Sequence, residues 1–335
     1  MWWWVAACTG SVTTHSDPTE ILPTDGGTVE HTGHSGVAWW AHSGTAPHSE
    51  TAWHTAEPPD PCIDPPPTTF VSHGILGQVR RTEEFAFDAV GGMVNAAEND
   101  GIYRTSYSGN PVLLAPYSSW EIAGVRVTPD GAALALCDEA AGQIVAVDLQ
   151  TGGQRVMASG LPSPNSIGFD QRGWLYVAAF GQVTRYRGVG APAELLLSRP
   201  GVDFDGIAFA PDDSAVYWNA DSLGDIYVAT MDAAGEVLDV RTPLRLQVTA
   251  ELDGMTTDVC GNLYVIATNG QLRRIRTDHS QETLIAANGR YTTAISFGSG
   301  LGGFERDHLY MMDRSDGLLD LELGIEGRRD PHYPP

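Results

Sequence analysis

The sequence predicts an all-β protein, a six-bladed β-propeller of four-stranded blades that follows a disordered N-terminal tether. Three observations lead to this fold class. From residue 69 onward a unit of about forty residues recurs six times. Each unit holds short strand-like runs bounded by Gly, Pro, Asp and Asn, and none has an apolar helical repeat of useful length. Short strands repeated at this period are typical of a propeller.

The turn between the first two strands shows the repeat most clearly. It reads "FDAVGGMV", "VTPDGAALAL", "FDQRGWLYV", "FAPDDSAVYW", "TDVCGNLYV" and "FGSGLGGFERDHLYMM" in the six units. A third strand such as "GQIVAVDL" follows, and most units add a short fourth strand such as "QRVMAS". The absence of crossover helices between the strands excludes a parallel-sheet enzyme.

The sixth unit lacks a fourth strand of its own. Residues 69–79, "TFVSHGILGQV", are strand-like and stand before the first unit. We therefore expect them to complete the last blade and to close the ring, within a propeller domain over 69–335.

The first residues resemble a bacterial lipoprotein signal. Residues 1–8, "MWWWVAAC", are interpreted as a lipoprotein-type signal remnant whose lipidated residue is Cys8. The stretch has no positive n-region and is shorter than a normal apolar h-region, which a start codon placed too far downstream would explain. The alternative is an apolar tip on a disordered tail.

Residues 9–68 are predicted to form a disordered linker rich in Thr, Ser, His and Pro. Such a composition buries too little apolar area to offset the entropy of the chain. Six of the ten histidines lie here, but their irregular spacing favours a plain tether over a metal-binding tract. Together with Cys8, this linker predicts an extracytoplasmic protein, either a bacterial lipoprotein anchored to the membrane or a secreted one.

The charge of the chain limits its partners. There are 42 acidic and 19 basic residues, all of the latter Arg, which gives a formal net charge of -23. Nucleic-acid binding is excluded because it needs positive charge, and membrane contact is expected only through the lipid anchor. We expect a monomer that binds a small-molecule substrate or ligand.

Four cysteines form neither a disulfide framework nor a metal-binding pair of closely spaced cysteines. If Cys8 is lipidated, Cys62, Cys137 and Cys260 remain, and the sequence leaves open whether any two of them pair. Four histidines lie outside the linker and are interpreted as surface residues: His73, His279, His308 and His332.

Asp253 is predicted to lie just before the first strand of the fifth unit, at the entrance to this strand. The equivalent positions recur at intervals of 40, 42, 40, 48 and 40 residues, and in a propeller they converge on one end of the central channel. Four of the six carry oxygen-bearing side chains of the kind that hard cations prefer. The aligned positions are Glu83, Ala123, Asn165, Asp205, Asp253 and Thr293.

Glu83, Asn165, Asp205 and Asp253 are therefore the candidate ligands of Ca²⁺ or another divalent cation. Three carboxylates that face each other at close range are costly unless a cation neutralises them. The alternative is turn chemistry, since Asp and Asn are common before strands. Turn chemistry does not particularly select Glu at position 83.

These residues resemble the senescence-marker-protein (regucalcin)/gluconolactonase-like family of six-bladed propellers, over about residues 80–325. The segments "LDGMTTDVCGNLYVIATNGQLRRI" and "FDGIAFAPDDSAVYWNADSLGDIYVA" carry the resemblance most strongly. The resemblance implies an ion held at the motifs "EEFAFD", "SPNSIGF", "DFDGIAF" and "LDGM", on the four candidate ligands named above.

The chain departs from the family pattern at the site. Asp205 stands where the family usually has Asn, Ser163 replaces an Arg of the animal sugar-lactonase members, and Ser166 replaces an Asp. The motif around Glu83 is degraded. The resemblance therefore implies the fold and the ion site, whereas aldonolactone specificity does not follow.

The expected function is a calcium-dependent hydrolase of a lactone or ester, with Asp253 as the catalytic carboxylate. Asp253 would activate water as a base or attack the substrate directly, while the ion polarises the substrate oxygen. The alternative is a non-catalytic ligand-binding propeller lipoprotein in which calcium is structural.

Overall fold

The computed structural model describes residues 62, 71–76, 79, 82–247 and 249–333. These residues form six four-stranded antiparallel sheets, and the innermost strands of successive sheets contact each other around a closed ring. The predicted six-bladed propeller is confirmed. The predicted signal remnant and linker lie outside the described residues, apart from Cys62 at the end of the linker.

Each blade runs from the channel outward in chain order, except that the last is completed by the first strand. Blades 1 to 3 consist of β2 (Phe85–Phe87), β3 (Met93–Ala97), β4 (Gly101–Thr105) and β5 (Pro111–Pro116); β6 (Ile122–Val127), β7 (Ala133–Asp138), β8 (Gln143–Asp148) and β9 (Gln154–Ser159); and β10 (Pro164–Phe169), β11 (Leu175–Ala179), β12 (Gln182–Tyr186) and β13 (Glu194–Ser198). Blades 4 to 6 consist of β14 (Phe204–Phe209), β15 (Ala215–Ala220), β16 (Asp225–Met231) and β17 (Val237–Arg245); β18 (Leu252–Thr257), β19 (Leu263–Ala267), β20 (Leu272–Ile275) and β21 (Gln281–Ile285); and β22 (Thr292–Phe297), β23 (His308–Asp313), β24 (Gly317–Glu322) and β1 (Val71–Leu76).

One short 3-10 helix, Asp221–Leu223, interrupts the strands. Within the part of the chain that the structure describes, no helix has the length and apolar character needed to cross a membrane.

Apolar side chains pack between the blades. The main clusters of buried residues each join two consecutive blades, so that all six seams of the ring are filled. Trp218 shows the pattern, because it is fully buried between blades 3 and 4 with Tyr176 and Phe209. The second strands are buried along almost all of their length, whereas the fourth strands β5, β9 and β13 are mostly exposed or half-buried.

A repeated aspartate fixes the turn between the first and second strands. In blades 1, 3 and 5 its Oδ1 accepts hydrogen bonds from the backbone amides two and four residues later, at 2.8–3.1 Å. Such side-chain bonds replace the turn contacts that the backbone alone cannot make. The three residues are Asp88, Asp170 and Asp258.

The ring closes through β1, which pairs antiparallel with β24 from Val71 opposite Glu322 to Leu76 opposite Leu318. The prediction that the segment before the first unit completes the last blade is confirmed for Val71–Leu76, the described strand within residues 69–79. A blade that combines the two ends of the chain links the first and last repeats by backbone hydrogen bonds.

The C-terminal tail crosses the end of the channel where the inner strands finish. Gly327 bridges Asp258 of blade 5, and the Arg328 amide donates to the Thr257 carbonyl at 2.9 Å. The Arg328 guanidinium pairs with Asp213 of blade 4 at 2.6 Å, and His332 bonds the Phe87 carbonyl of blade 1 at 2.8 Å. The tail therefore ties three blades together and covers this end of the channel.

Cys62 and Cys260 form a disulfide across 198 residues, with their Cα atoms 5.3 Å apart. The bond joins the end of the predicted linker to the first turn of blade 5. Cys137 is a free thiol in the core, where burial raises its pKa.

We expect the disulfide to stabilise the propeller by about 2–4 kcal/mol, because it restricts the unfolded chain. Denaturant unfolding of the wild type with and without reductant measures this difference. The C62S variant should match the reduced wild type and should not respond to reductant. Equal unfolding midpoints for the oxidised and reduced wild type would contradict the prediction.

Candidate functional site

The start of each inner strand lies at one end of the channel, here called the mouth. Five of the six inner strands have a register shift at or beside the position aligned from the sequence. A β-bulge re-aims the local side chains and is common beside functional sites. Ala123, Asn165, Asp253 and Thr293 lie within these shifts, Asp205 directly precedes the shift at Gly206, and Glu83 lies just before β2.

Asp205 and Asp253 lie on the neighbouring inner strands β14 and β18, and both are buried. Burial raises the pKa of each carboxyl well above its ordinary value, and the negative charge of Asp205 raises that of Asp253 further. The Gly206 amide donates to Asp205 Oδ1 at 2.6 Å. Among the described residues, none donates a hydrogen bond to the Asp253 carboxylate or pairs with it.

The backbone around the two aspartates is tightly packed. A Cβ atom on Gly206 would lie 2.5 Å from the Asp253 carbonyl oxygen, so only glycine fits between the two strands. Asn219, fully buried opposite Asp205, donates from Nδ2 to the same carbonyl at 2.6 Å. The Asn219 Oδ1 atom has no hydrogen-bond partner within the described structure. Asn219 therefore fixes Asp253 and leaves a buried oxygen beside it.

Glu83 forms an ion pair with Arg314, which follows β23 of blade 6. Burial raises the Glu83 pKa, and the Arg314 charge offsets part of this effect. The Thr293 hydroxyl donates to the Glu83 carbonyl at 2.6 Å and holds the segment in place. The carboxylate oxygens of Glu83, Asp205 and Asp253 do not all lie within 4.8 Å of one another. To join the two aspartates around one ion, Glu83 would have to leave Arg314.

Asn165 is half-buried at its bulge in β10, and its side chain makes no hydrogen bond to another described residue. Its amide oxygen is therefore available to a ligand. The structure brings Asp205 and Asp253 into adjacent positions, with Glu83 close enough to act on both electrostatically.

Glu84 is a further charged residue of the channel that the sequence analysis did not single out. It is buried, and its Oε2 accepts from the Val125 amide at 2.8 Å and from Arg126 at 2.9 Å. Glu84 also raises the pKa of both aspartates. The adjacent glutamates "EE" in the sequence indicate a second carboxylate beside Glu83. The sequence alone does not show which of the two turns toward Arg126.

An acidic rim surrounds the mouth on the loops that enter the first strands and join the second to the third. Burial raises the pKa of Glu139 to about 7, and burial followed by the charges of Glu251 and Asp203 raises that of Asp221 to about 7. Arg314 brings a positive charge to this acidic region, where its guanidinium pairs with Glu83. The rim consists of Glu98, Glu121, Glu139, Asp203, Asp221 and Glu251.

Exposed aromatic side chains lie on the same loops. Trp120 is 64% exposed before β6, Phe180 45% exposed after β11 and Tyr291 46% exposed before β22. Within the described residues, the other large hydrophobic side chains that are exposed are all aliphatic. The mouth therefore combines negative charge with aromatic surface.

The opposite end of the channel holds a small cavity. Its lining includes Arg126, Phe169 and Phe209 from the inner strands and Arg328 and Asp330 from the C-terminal tail. Asp205 and Asp253 lie at the starts of their strands, so a ligand that enters the mouth reaches them without passing the tail.

Residues 202–313 match the family model described as SMP-30/Gluconolactonase/LRE-like region. This match confirms the predicted resemblance to that family. The matched region contains Asp205 and Asp253 together with the rim residues Asp221 and Glu251. No curated protein matches the sequence.

Solved structures share the propeller fold at low sequence identity. A gluconolactonase from Xanthomonas campestris is 17% identical over 74% of this chain and 88% of its own, with a TM-score of 0.61. A calcium-binding regucalcin from Agrobacterium tumefaciens is 18% identical over 79% and 98%, with a TM-score of 0.61. An auxiliary nutrient binding protein from Bacteroides thetaiotaomicron is 13% identical over 76% and 70%, with a TM-score of 0.58.

The raised pKa of Glu139 predicts a pH-dependent loss of stability in chelator-treated protein. Its ordinary pKa is 4.5 and its folded value about 7, so the folded state binds a proton more tightly than the unfolded state. Stability from this group is present at low pH and falls as the pH rises from 4.5 toward about 7. We expect the unfolding temperature of the wild type to fall relative to E139Q across this interval. A difference between the two proteins that does not change with pH would contradict the prediction.

Proposed function

We propose that the protein hydrolyses a lactone or ester at the mouth, in a reaction that depends on Ca²⁺ or another divalent cation. The observation that carries this proposal is the buried pair Asp205 and Asp253, whose negative charges have little compensation from the protein. The family match over residues 202–313 supports the hydrolase assignment.

The residues at the mouth fit a hard cation. Two buried carboxylates, the free amide oxygen of Asn165 and the unpartnered Oδ1 of Asn219 offer oxygen donors, which such ions prefer. Glu83 would complete the set after release from Arg314, which could then pair with Glu98, at present 3.9 Å away. Bound there, a divalent cation would act as a Lewis acid on the substrate oxygen.

Asp253 is the residue proposed to handle the proton. Its carboxylate accepts no hydrogen bond from the described residues, so its oxygens are available to a water molecule or to the substrate. Cation binding would keep it ionised, since the opposite charge favours the anion against the effect of burial. The ionised carboxylate would take a proton from water, and the bond from Asn219 to its backbone carbonyl would hold it in position.

The surface of the mouth supports a substrate that carries no negative charge. The acidic rim would repel an anionic lactone, whereas Trp120, Phe180 and Tyr291 offer apolar surface for an acyl or aryl group. Ser163 is bonded to Glu139 at 3.1 Å and supplies no positive charge at the position where the sugar lactonases carry Arg.

The second candidate is a ligand-binding propeller without turnover, in which calcium is structural. The absence of that Arg at Ser163 favours it, and an auxiliary nutrient binding protein shares the fold. The two candidates differ in whether any substrate is consumed.

D253N should abolish cation-dependent hydrolysis while the protein still binds the ion, because it removes the basic carboxylate but keeps an oxygen ligand. D205N, which restores the residue usual in the family, should weaken ion binding more than it lowers turnover at saturating calcium. The assay uses neutral, cationic and anionic lactones and aryl esters, each with calcium and with chelator. Metal analysis of the same samples gives the ion content.

The exposed residue Asp239 on the outer strand of blade 4 supplies the matched control, D239N, whose side chain is 59% exposed. D239N should behave as the wild type. If no substrate shows chelator-sensitive hydrolysis, the binding function replaces the enzymatic one. Hydrolysis by D253N at the wild-type rate would remove Asp253 from the mechanism.

We also propose that the protein acts outside the cytoplasm, tethered through Cys8. The lipobox-like "VAAC" and the acidic linker support this location. The Cys62–Cys260 disulfide adds support, because structural disulfides persist mainly in oxidising compartments.

A labelled fatty acid supplied to the native host should therefore be incorporated into the wild type and not into C8S. The measurement is the label that remains on the purified protein after denaturation. Recovery of the full chain from the cytosol with Met1 intact would exclude this location.

A further inference from the structure

A second cluster of metal-binding side chains lies in blade 6, at the end of the blade opposite the mouth. His308 starts β23 and stands directly opposite Glu322, the last residue of β24, so the two side chains share one face of the sheet. His73 lies on β1 at a register shift of its pairing with β24, and its Nε2 is 2.8 Å from Glu322 Oε2. The cluster therefore joins the first strand of the propeller to its last two.

The three residues offer ligand atoms at close range. One ligand atom from each of His73, His308 and Glu322 lies within 4.8 Å of the other two. Within the described residues, no other group of three His, Cys, Asp or Glu side chains meets this limit. The rings of His73 and His308 are stacked, with centroids 5.0 Å apart and planes 11° from parallel. Small rotations of these partly exposed side chains would bring three donors around one ion.

A buried carboxylate orients His308. Asp320 is buried, and its Oδ1 lies 2.7 Å from His308 Nδ1, while its Oδ2 accepts from the Tyr107 hydroxyl at 2.7 Å. A carboxylate bonded to one ring nitrogen fixes the tautomer and leaves the lone pair of the other nitrogen for a metal. His308 Nε2 is then the free nitrogen, and Asp307 Oδ1, 3.9 Å from it, offers a fourth ligand atom.

We infer that His73, His308 and Glu322 bind a divalent transition metal of the zinc class, separate from the cation proposed at the mouth. Two imidazoles and one carboxylate form a ligand set that suits zinc and similar ions, whereas Ca²⁺ takes oxygen ligands almost exclusively. Because the ligands come from both ends of the propeller, they come together only when the ring is closed. The metal therefore binds the closed ring and stabilises it.

Thermal unfolding of the full chain with added zinc chloride tests this inference, at a pH about one unit above the ordinary histidine pKa of about 6.5. At zinc concentrations about 100-fold above the dissociation constant, we expect the unfolding temperature to rise by about 5 °C. H73A and E322Q should lose this rise. H279A is the matched control, because His279 lies in an exposed turn of blade 5, and it should keep the full rise.

Direct binding separates this site from the histidines of the linker, which H73A leaves unchanged. The wild type should bind one more equivalent of zinc than H73A or E322Q, and cobalt should give a visible absorption band that both variants lack. Calcium should not produce the stabilisation that H73A removes. Zinc stabilisation and cobalt absorption that are the same in wild type, H73A and E322Q would overturn the inference, whatever the outcome at the mouth.

Discussion

The architecture depends on the pairing of β1 with β24. A ring of sheets covers both faces of every blade only if the first and last repeats are joined, and here one blade is built from both ends of the chain. Each apolar cluster between blades is formed by side chains of two neighbouring blades. A gap between blades 1 and 6 would therefore expose the apolar faces of both. The C-terminal tail adds contacts to blades 1, 4 and 5, and the disulfide fixes the chain that leads into β1.

The closed ring also creates the electrostatic problem at its mouth. Inner strands that converge on one axis bring Asp205, Asp253 and Glu84 close together in a buried setting. Among the described residues, two nearby guanidinium groups are engaged by glutamates: Arg126 with Glu84 and Arg314 with Glu83. Within the described part of the chain, the Asp205 carboxylate accepts only from a backbone amide and the Asp253 carboxylate from no residue, which is a costly arrangement for the protein alone.

The repeat made most of the fold predictable. The forty-residue period, the strand-like segment 69–79 and the alignment of positions such as Asn165 and Asp253 each follow from local pattern. They correspond to the observed blades, the closing strand and the bulged starts of the inner strands. Local pattern is sufficient here because each repeat forms its sheet from its own neighbours in sequence.

The contacts that repeats do not encode could not be predicted. Arg314 meets Glu83 across 231 residues, and Cys62 meets Cys260 across 198. Neither pair occupies equivalent positions in two units, so no periodicity indicates it. His308 was expected on the surface and instead begins β23 with its side chain largely covered, because Asp320 and His73 lie beside it.

The C-terminal tail crosses the far end of the channel, whereas the mouth carries Trp120 and the acidic rim. A molecule that enters and leaves at the mouth passes the same charged loops in both directions. In an ester or lactone hydrolysis the product differs from the substrate by a carboxylate charge. The negative potential of the rim would then disfavour the anionic product relative to the neutral substrate throughout the mouth, which weakens the binding of the product.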